Sequence, residues 1–247
     1  MKILKIQALR GPNIWSVRRK KLIQMRLDLE EMEQQPTNLI PGFRERIEQL
    51  IPTMYSHRCS EGVEGGFFSR VETGTWMGHV IEHIALEIQT LAGMDTGFGR
   101  TRQTKTDGIY NVVFSYVEEE VGLYAAESAV RIAEALIAGS EYDIDADVQE
   151  MRRIREKVRL GPSTASIVDE AVSRDIPWIR LGTNSLIQLG YGVNQMRFQA
   201  TITCKTSNIA VDIACNKEET KRLLDMSSIP VAKGSICVDE ESLSNTI

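Results

Sequence analysis

The chain has 247 residues, 42% hydrophobic and 26% charged, which are the proportions of an ordinary soluble globular protein. Its 29 Lys and Arg against 34 Asp and Glu leave a net charge of -5, which argues against a general nucleic-acid binder, since those carry a basic surplus. The one basic run, Arg18-Arg19-Lys20-Lys21, is soon followed by Glu30-Glu31, so it reads as a mixed-sign surface.

In chain order, Lys2 to Ile6 alternates as a strand and meets a turn at Gly11-Pro12-Asn13. Residues 17–34 are charged and helix-prone up to the break at Pro36, and a helix is expected from Phe43 to Leu50. The glycine-rich stretch Cys59 to Gly66 precedes the strongest helix, Met77 to Ala92, which Gly93 closes. A loop rich in Gly, Thr and Arg leads to a strand from Ile109 to Val117, then to a helix from Gly122 to Ala138. Residues 143–160 are charged and helical, and Gly161-Pro162 marks the expected domain boundary. Beyond it, a helix at 164–174, a strand at 178–181 and a hairpin around Gly190-Tyr191-Gly192 describe a fresh unit, and another helix is expected to begin near Glu240. The fold class is therefore α/β or α+β.

No run of about 18 apolar residues is present, so no membrane association is expected. Cys59, Cys204, Cys215 and Cys237 form no C-x-x-C pair, and no signal peptide opens the chain, which points to the reducing cytoplasm.

The sharpest local pattern is His79-Val80-Ile81-Glu82-His83, which fits H-x-x-E-H, the reversed form of the zinc-peptidase helix motif. Four residues apart on a helix, His79 and His83 stack on one face, as two imidazole ligands to one Zn2+ must. Glu82, His79, Thr90, His83 and Glu87 fall in one polar arc, read as the open face, with Ile81, Ile84, Ile88 and Leu91 opposite. Glu82 is placed to take a proton from a water activated by the metal. A third ligand is required; Glu118, Glu119, Glu120 and His57 are the candidates. Glu119 is preferred because peptidases of this motif take a later carboxylate, and His57 is the runner-up. Arg100 and Arg102, within Gly97 to Arg102, are candidates for holding substrate carboxylates. Solvated side chains on a helix face or a surface loop would give the same patterns without any ligand.

Toward the end, Asn208 to Leu224 leads into Ile229-Pro230-Val231-Ala232-Lys233-Gly234. This resembles the entry into ATP-grasp ligases, with Lys217 matching the family's first nucleotide-contacting lysine. Asn216 and Ala232 depart from the aspartate and proline often found there. Together with His57 to Ser60, Gly74 to His83, Gly97 to Arg102 and Ser185 to Gly192, the chain resembles the cyanophycin synthetases along nearly its whole length. That resemblance implies residues 1–160 as an N-terminal domain and 163–247 as a truncated ATP-grasp opening. The full-length enzyme would be a homo-oligomeric ligase that uses ATP and Mg2+ to join aspartate and arginine into the cyanophycin polymer. Its phosphate loop, magnesium carboxylates and second ligase domain would lie downstream, so these residues alone are not expected to ligate. The resemblance leaves the N-terminal domain as a polymer binder, a scaffold, or a metal-dependent hydrolase of the polymer.

Overall fold

The structure, a computed structural model, describes residues 1–17, 21–234 and 237. The helix expected near Glu240 lies outside the described residues, as do Arg18, Arg19 and Lys20 of the basic run. The chain forms two compact units, Met1–Arg159 and Leu160–Ile247. Mixed α/β structure is borne out, with both sheets antiparallel.

In the first unit, β1 (Lys2–Arg10), β2 (Lys21–Asp28), β3 (Gly99–Gln103) and β4 (Ile109–Ser115) form a sheet in the order β1-β2-β4-β3. Among the described residues five α-helices accompany it: α1 (Phe43–Leu50), α2 (Gly66–Thr73), α3 (Met77–Leu91), α4 (Glu119–Ala138) and α5 (Ile144–Val158). Ile23, Met25, Leu27, Val112 and Phe114 point from one sheet face into a core shared with Val80, Ile81, Ile84 and Ile88 of α3 and Ala125, Ala129 and Ile132 of α4. The alternate residues Leu22 and Val113 are also buried, packing with Trp15 on the other face.

One expectation is overturned. Residues 21–28 form a strand instead of part of a helix: Ile23, Met25 and Leu27 alternate with Gln24, Arg26 and Asp28, a period of two that the charged, helix-prone composition of the segment obscured. Two elements were also absent from the sequence reading, namely α2 and the edge strand β3. Gly66 opens α2 because the carbonyl of Arg58 lies 2.2 Å from where a Cβ would stand, so only glycine lets the segment before it close down.

Two polar clusters fix the helices. Thr37 Oγ1 donates to the Val71 carbonyl at 2.6 Å and accepts from the Thr75 N–H at 2.9 Å, anchoring the approach to α3. Asp147 accepts from Tyr142, Tyr124 and Arg131 at 2.6, 2.7 and 2.9 Å, tying α5 to α4. Burial pushes the Asp147 carboxyl up, but the tyrosine hydroxyls and the Arg131 guanidinium outweigh it and hold it below the ordinary range. A depressed carboxyl stabilises the fold above its unfolded value near 3.8 and loses that contribution as pH falls through the folded value. Asp147→Asn should cost about 1.5–3 kcal/mol at pH 7, the range for hydrogen bonds to a charged group. The difference from the parent protein should shrink at pH 3, as urea titrations at both pH values would measure.

The second unit begins with α6 (Pro162–Ser173), then β5 (Trp178–Arg180), β6 (Leu186–Leu189), β7 (Met196–Gln199) and β8 (Ile202–Thr203) in an antiparallel meander. Its core is small, formed by Val168, Ile187 and Phe198. Two further helices, α7 (Asn208–Cys215) and α8 (Lys217–Met226), start at Ser207 and Asn216, whose side chains accept from the N–H of Ala210 and Glu219. Lys217 is exposed in the first turn of α8.

Candidate metal centre

A cleft of about 800 Å3 lies in the first unit, with α3 on one side and β3 on another. His79, Glu82, His83 and Glu87 reach it from α3, Gly99, Arg100 and Thr101 from β3, and His57, Arg58 and Cys59 from the segment before α2. The polar arc of α3 is thus not solvated as expected. Glu82, His83 and Glu87 are 5%, 8% and 3% exposed, because these flanking segments close over that face.

Cys59, His79 and His83 bring one donor atom each to within 4.8 Å of one another, the only such His, Cys or carboxylate cluster among the described residues. The Cys59 thiol lies 3.3 Å from His79 Nε2, and His79 Nδ1 lies 3.2 Å from Thr75 Oγ1. His79 therefore directs Nε2 at the cluster and Nδ1 at the Thr75 hydroxyl. Burial, aided by the positive charge of Arg70, lowers His79 to about 4. Burial, and then the neighbouring His79 and His57, lowers His83 well below the ordinary histidine range. Both imidazoles are neutral at pH 7, the state a metal ligand requires.

His57 holds a different position from the one expected of a ligand. Its Nε2 lies 2.6 Å from Glu87 Oε2 and its Nδ1 lies 2.8 Å from His83 Nδ1, so both ring nitrogens are engaged. Burial would raise Glu87, but hydrogen bonds from His57 and Thr53 carry it below the ordinary range, so it is a carboxylate at neutral pH. A carboxylate can only accept, which places a proton on His57 Nε2, and in the neutral ring Nδ1 is then an acceptor. His83 then donates from Nδ1 and keeps the Nε2 lone pair free. Orientation of ligand imidazoles by outer hydrogen bonds of this kind is general at metal sites.

Glu82 stands beside the cluster. Its Oε2 accepts from Thr101 Oγ1 at 2.6 Å, and Gly99 passes so close that an added Cβ would meet Oε1 at 2.3 Å. Burial raises the carboxyl to about 7, against the opposing effects of Thr101 and Arg100.

The other expected residues divide. Arg100 lines the cleft, donates to the Trp15 carbonyl at 3.4 Å and lies 5.9 Å from the Phe98 ring centre. Arg102 is exposed on β3 and does not line the cleft. Glu119 is not brought to the histidines. Both of its oxygens bind Arg10 at 2.5 Å, with Tyr116 at 3.3 Å, because α4 starts at the opposite end of the sheet's hydrogen-bonding order from β3. The thiol found with the two histidines, Cys59, belongs to no local cysteine motif, so spacing alone gave it no signal. Lys217 belongs to the second unit and is not part of this site.

This cleft occurs in a recognisable class of domain: residues 24–138 match the family described as cyanophycin synthase-like N-terminal domain. The chain is 51% identical to the cyanophycin synthetase of Geminocystis herdmanii, over 100% of this chain and 29% of that protein. It is 52% identical to that of Trichormus variabilis, covering 96% and 26%, and 50% identical to that of a Synechocystis species, covering 95% and 27%. The chain belongs to the cyanophycin synthetase family and spans less than a third of the length of these curated relatives. Among the described residues, no helix is long and apolar enough to cross a membrane.

Proposed function

We propose that the first unit is a zinc-dependent hydrolase that cuts the cyanophycin polymer internally, within the N-terminal part of a cyanophycin synthetase. The carrying observation is the triplet Cys59, His79 and His83, with donor atoms within 4.8 Å, beside a buried Glu82 in an accessible cleft. One thiolate and two neutral imidazoles form a donor set suited to Zn2+, with three protein ligands as in catalytic sites. When bound, the metal supplies Lewis acidity toward a substrate carbonyl and toward water.

The residues of the chain do the rest. Glu82, whose carboxyl burial lifts to about 7, is the group placed to act as the base. It takes the proton of the attacking water and returns it to the leaving nitrogen. Thr101 holds the Glu82 carboxylate in place, and Thr75 and the Glu87–His57 pair hold the two imidazoles. Arg100, Arg58 and Arg70 line the cleft and suit carboxylates, while Asp95 at its border suits a guanidinium. Cyanophycin offers both groups: arginine joined through its amino group to an aspartate side chain leaves its carboxylate and guanidinium free. Internal cuts create new ends from which synthesis can start.

In this reading the second unit opens the ATP-grasp domain, with Lys217 at the nucleotide and Mg2+ held further along the full enzyme. Aspartate, arginine and the polymer are the partners of a homo-oligomeric cytoplasmic ligase. The test is metal analysis of the purified 247-residue chain beside a chain-length assay of cyanophycin. About one zinc per chain, with shortening of the polymer, is expected. Protein that takes up no zinc and leaves the polymer intact overturns the hydrolase reading and leaves a binding module.

A further inference from the structure

The outer edge of β3 has main-chain groups that, among the described residues, pair with no other strand. Among the described residues, β3 is the last strand of its sheet and pairs only with β4. Just beyond its ends, Ser115 donates to the Phe98 carbonyl at 2.8 Å and Thr104 donates to the Ile109 carbonyl at 2.8 Å. In an antiparallel pair the hydrogen-bonded positions alternate, so Arg100 and Arg102 face β4. Gly99, Thr101 and Gln103 therefore turn their N–H and C=O groups outward.

This edge adjoins the cleft. Gly99 and Thr101 line it, and Thr101, whose main chain faces outward, holds Glu82 with its side chain at 2.6 Å, so the edge runs beside the helix that carries Glu82 and His79. A strand added here would lie about 4.8 Å from β3, and its residue opposite Thr101 would come alongside the helix face carrying Glu82.

The charges select what can dock. β3 is short and carries Arg100 and Arg102, which repel the same strand of a second copy, a recognised way of protecting an edge. With Arg58 and Arg70 also on the cleft, these guanidiniums suit the carboxylates that an extended polymer chain presents, and Asp95 suits its guanidiniums.

We propose that β3 is a docking strand: the polyaspartate main chain of the polymer adds to this edge in extended form, hydrogen-bonded to Gly99, Thr101 and Gln103. This strand-addition mode takes its affinity from the main chain and leaves alternate side chains to the cleft walls. The proposal rests on the polymer being the ligand of this cleft, and docking and cleavage can fail separately.

The experiment uses the full 247-residue chain carrying Glu82→Gln, so that bound ligand stays intact, and a soluble oligomer of four arginine-bearing aspartate units. Gln103→Pro removes one outward N–H without touching the ladder to β4, a position where edge strands accept proline. It should weaken oligomer binding by about three- to ten-fold relative to Gln103→Ala, which keeps that N–H. Independently of any effect on folding, oligomers N-methylated at successive main-chain amides should alternate between weak and unaffected binding, with a period of two. Equal binding by the two Gln103 variants, a uniform N-methyl effect, or no binding of the oligomer overturns the proposal. Alternation in a protein whose Glu82 form cleaves nothing would uphold docking and overturn the hydrolase reading. Cleavage without alternation would do the reverse.

Discussion

Glu82→Gln should abolish cleavage of cyanophycin while leaving zinc content unchanged. Loss of a general base costs roughly 10²- to 10⁴-fold in rate, and the larger end is expected where no other carboxylate adjoins the attacking water. Glu87, the nearest alternative along α3, is committed to His57 at 2.6 Å and cannot substitute. The amide oxygen of glutamine can still accept from Thr101, so the local structure should hold. Stability supplies the control. A carboxyl raised from 4.5 to about 7 by burial stabilises the folded state fully below pH 4.5, and that contribution is lost as pH rises through 7. Above pH 7 the parent protein has a buried charge that the variant lacks, so Glu82→Gln should melt no lower there. A variant that kept the activity, or lost it together with the zinc, would remove Glu82 from the role of base.

Cys59→Ser should lower zinc affinity by more than the roughly 10- to 100-fold that losing an outer hydrogen-bond partner costs. A hydroxyl does not ionise at neutral pH, whereas a coordinated thiol does. Glu119→Gln separates the two candidates for third ligand. Its carboxylate is bound to Arg10, which holds it below the ordinary range against the cost of burial. Its loss should leave zinc affinity unchanged and cost about 1 kcal/mol or less, as for other partly exposed ion pairs. Competition with a chromophoric chelator measures the first effect and thermal melting the second. Unchanged zinc affinity in Cys59→Ser, or loss of zinc in Glu119→Gln, would return the third ligand to the acidic run that begins α4.

Sequence periodicity carried the helices well. Phe43–Leu50 was legible to the residue, because an apolar stripe on an otherwise charged segment ends at Ile51-Pro52. Met77–Leu91 was legible because Gly93 takes up the left-handed conformation that ends it, at φ 85°. Strands were harder. β2 alternates from Ile23 to Asp28 but sits within a charged segment whose composition favours helix, and β3 is an edge strand of arginines and threonine whose inward positions are filled by Gly99 and Thr101. At the site, two histidines one turn apart could be read from one helix. Cys59 and the Glu87–His57 pair depend on a separate segment folding over that helix, which no spacing rule encodes. The choice of Glu119 rested on analogy with peptidases of other folds, and the sheet order places it elsewhere.

Gly99 ties the history of one segment to another. No side chain larger than hydrogen fits there while Glu82 keeps its seat, since a Cβ would lie 2.3 Å from the carboxylate oxygen. Strand propensity alone favours almost any residue over glycine at that position. Selection for the glutamate is therefore also selection for the glycine 17 positions later, and the two should be inherited as a pair. In a lineage whose domain had given up its glutamate, the glycine would be the next residue to drift.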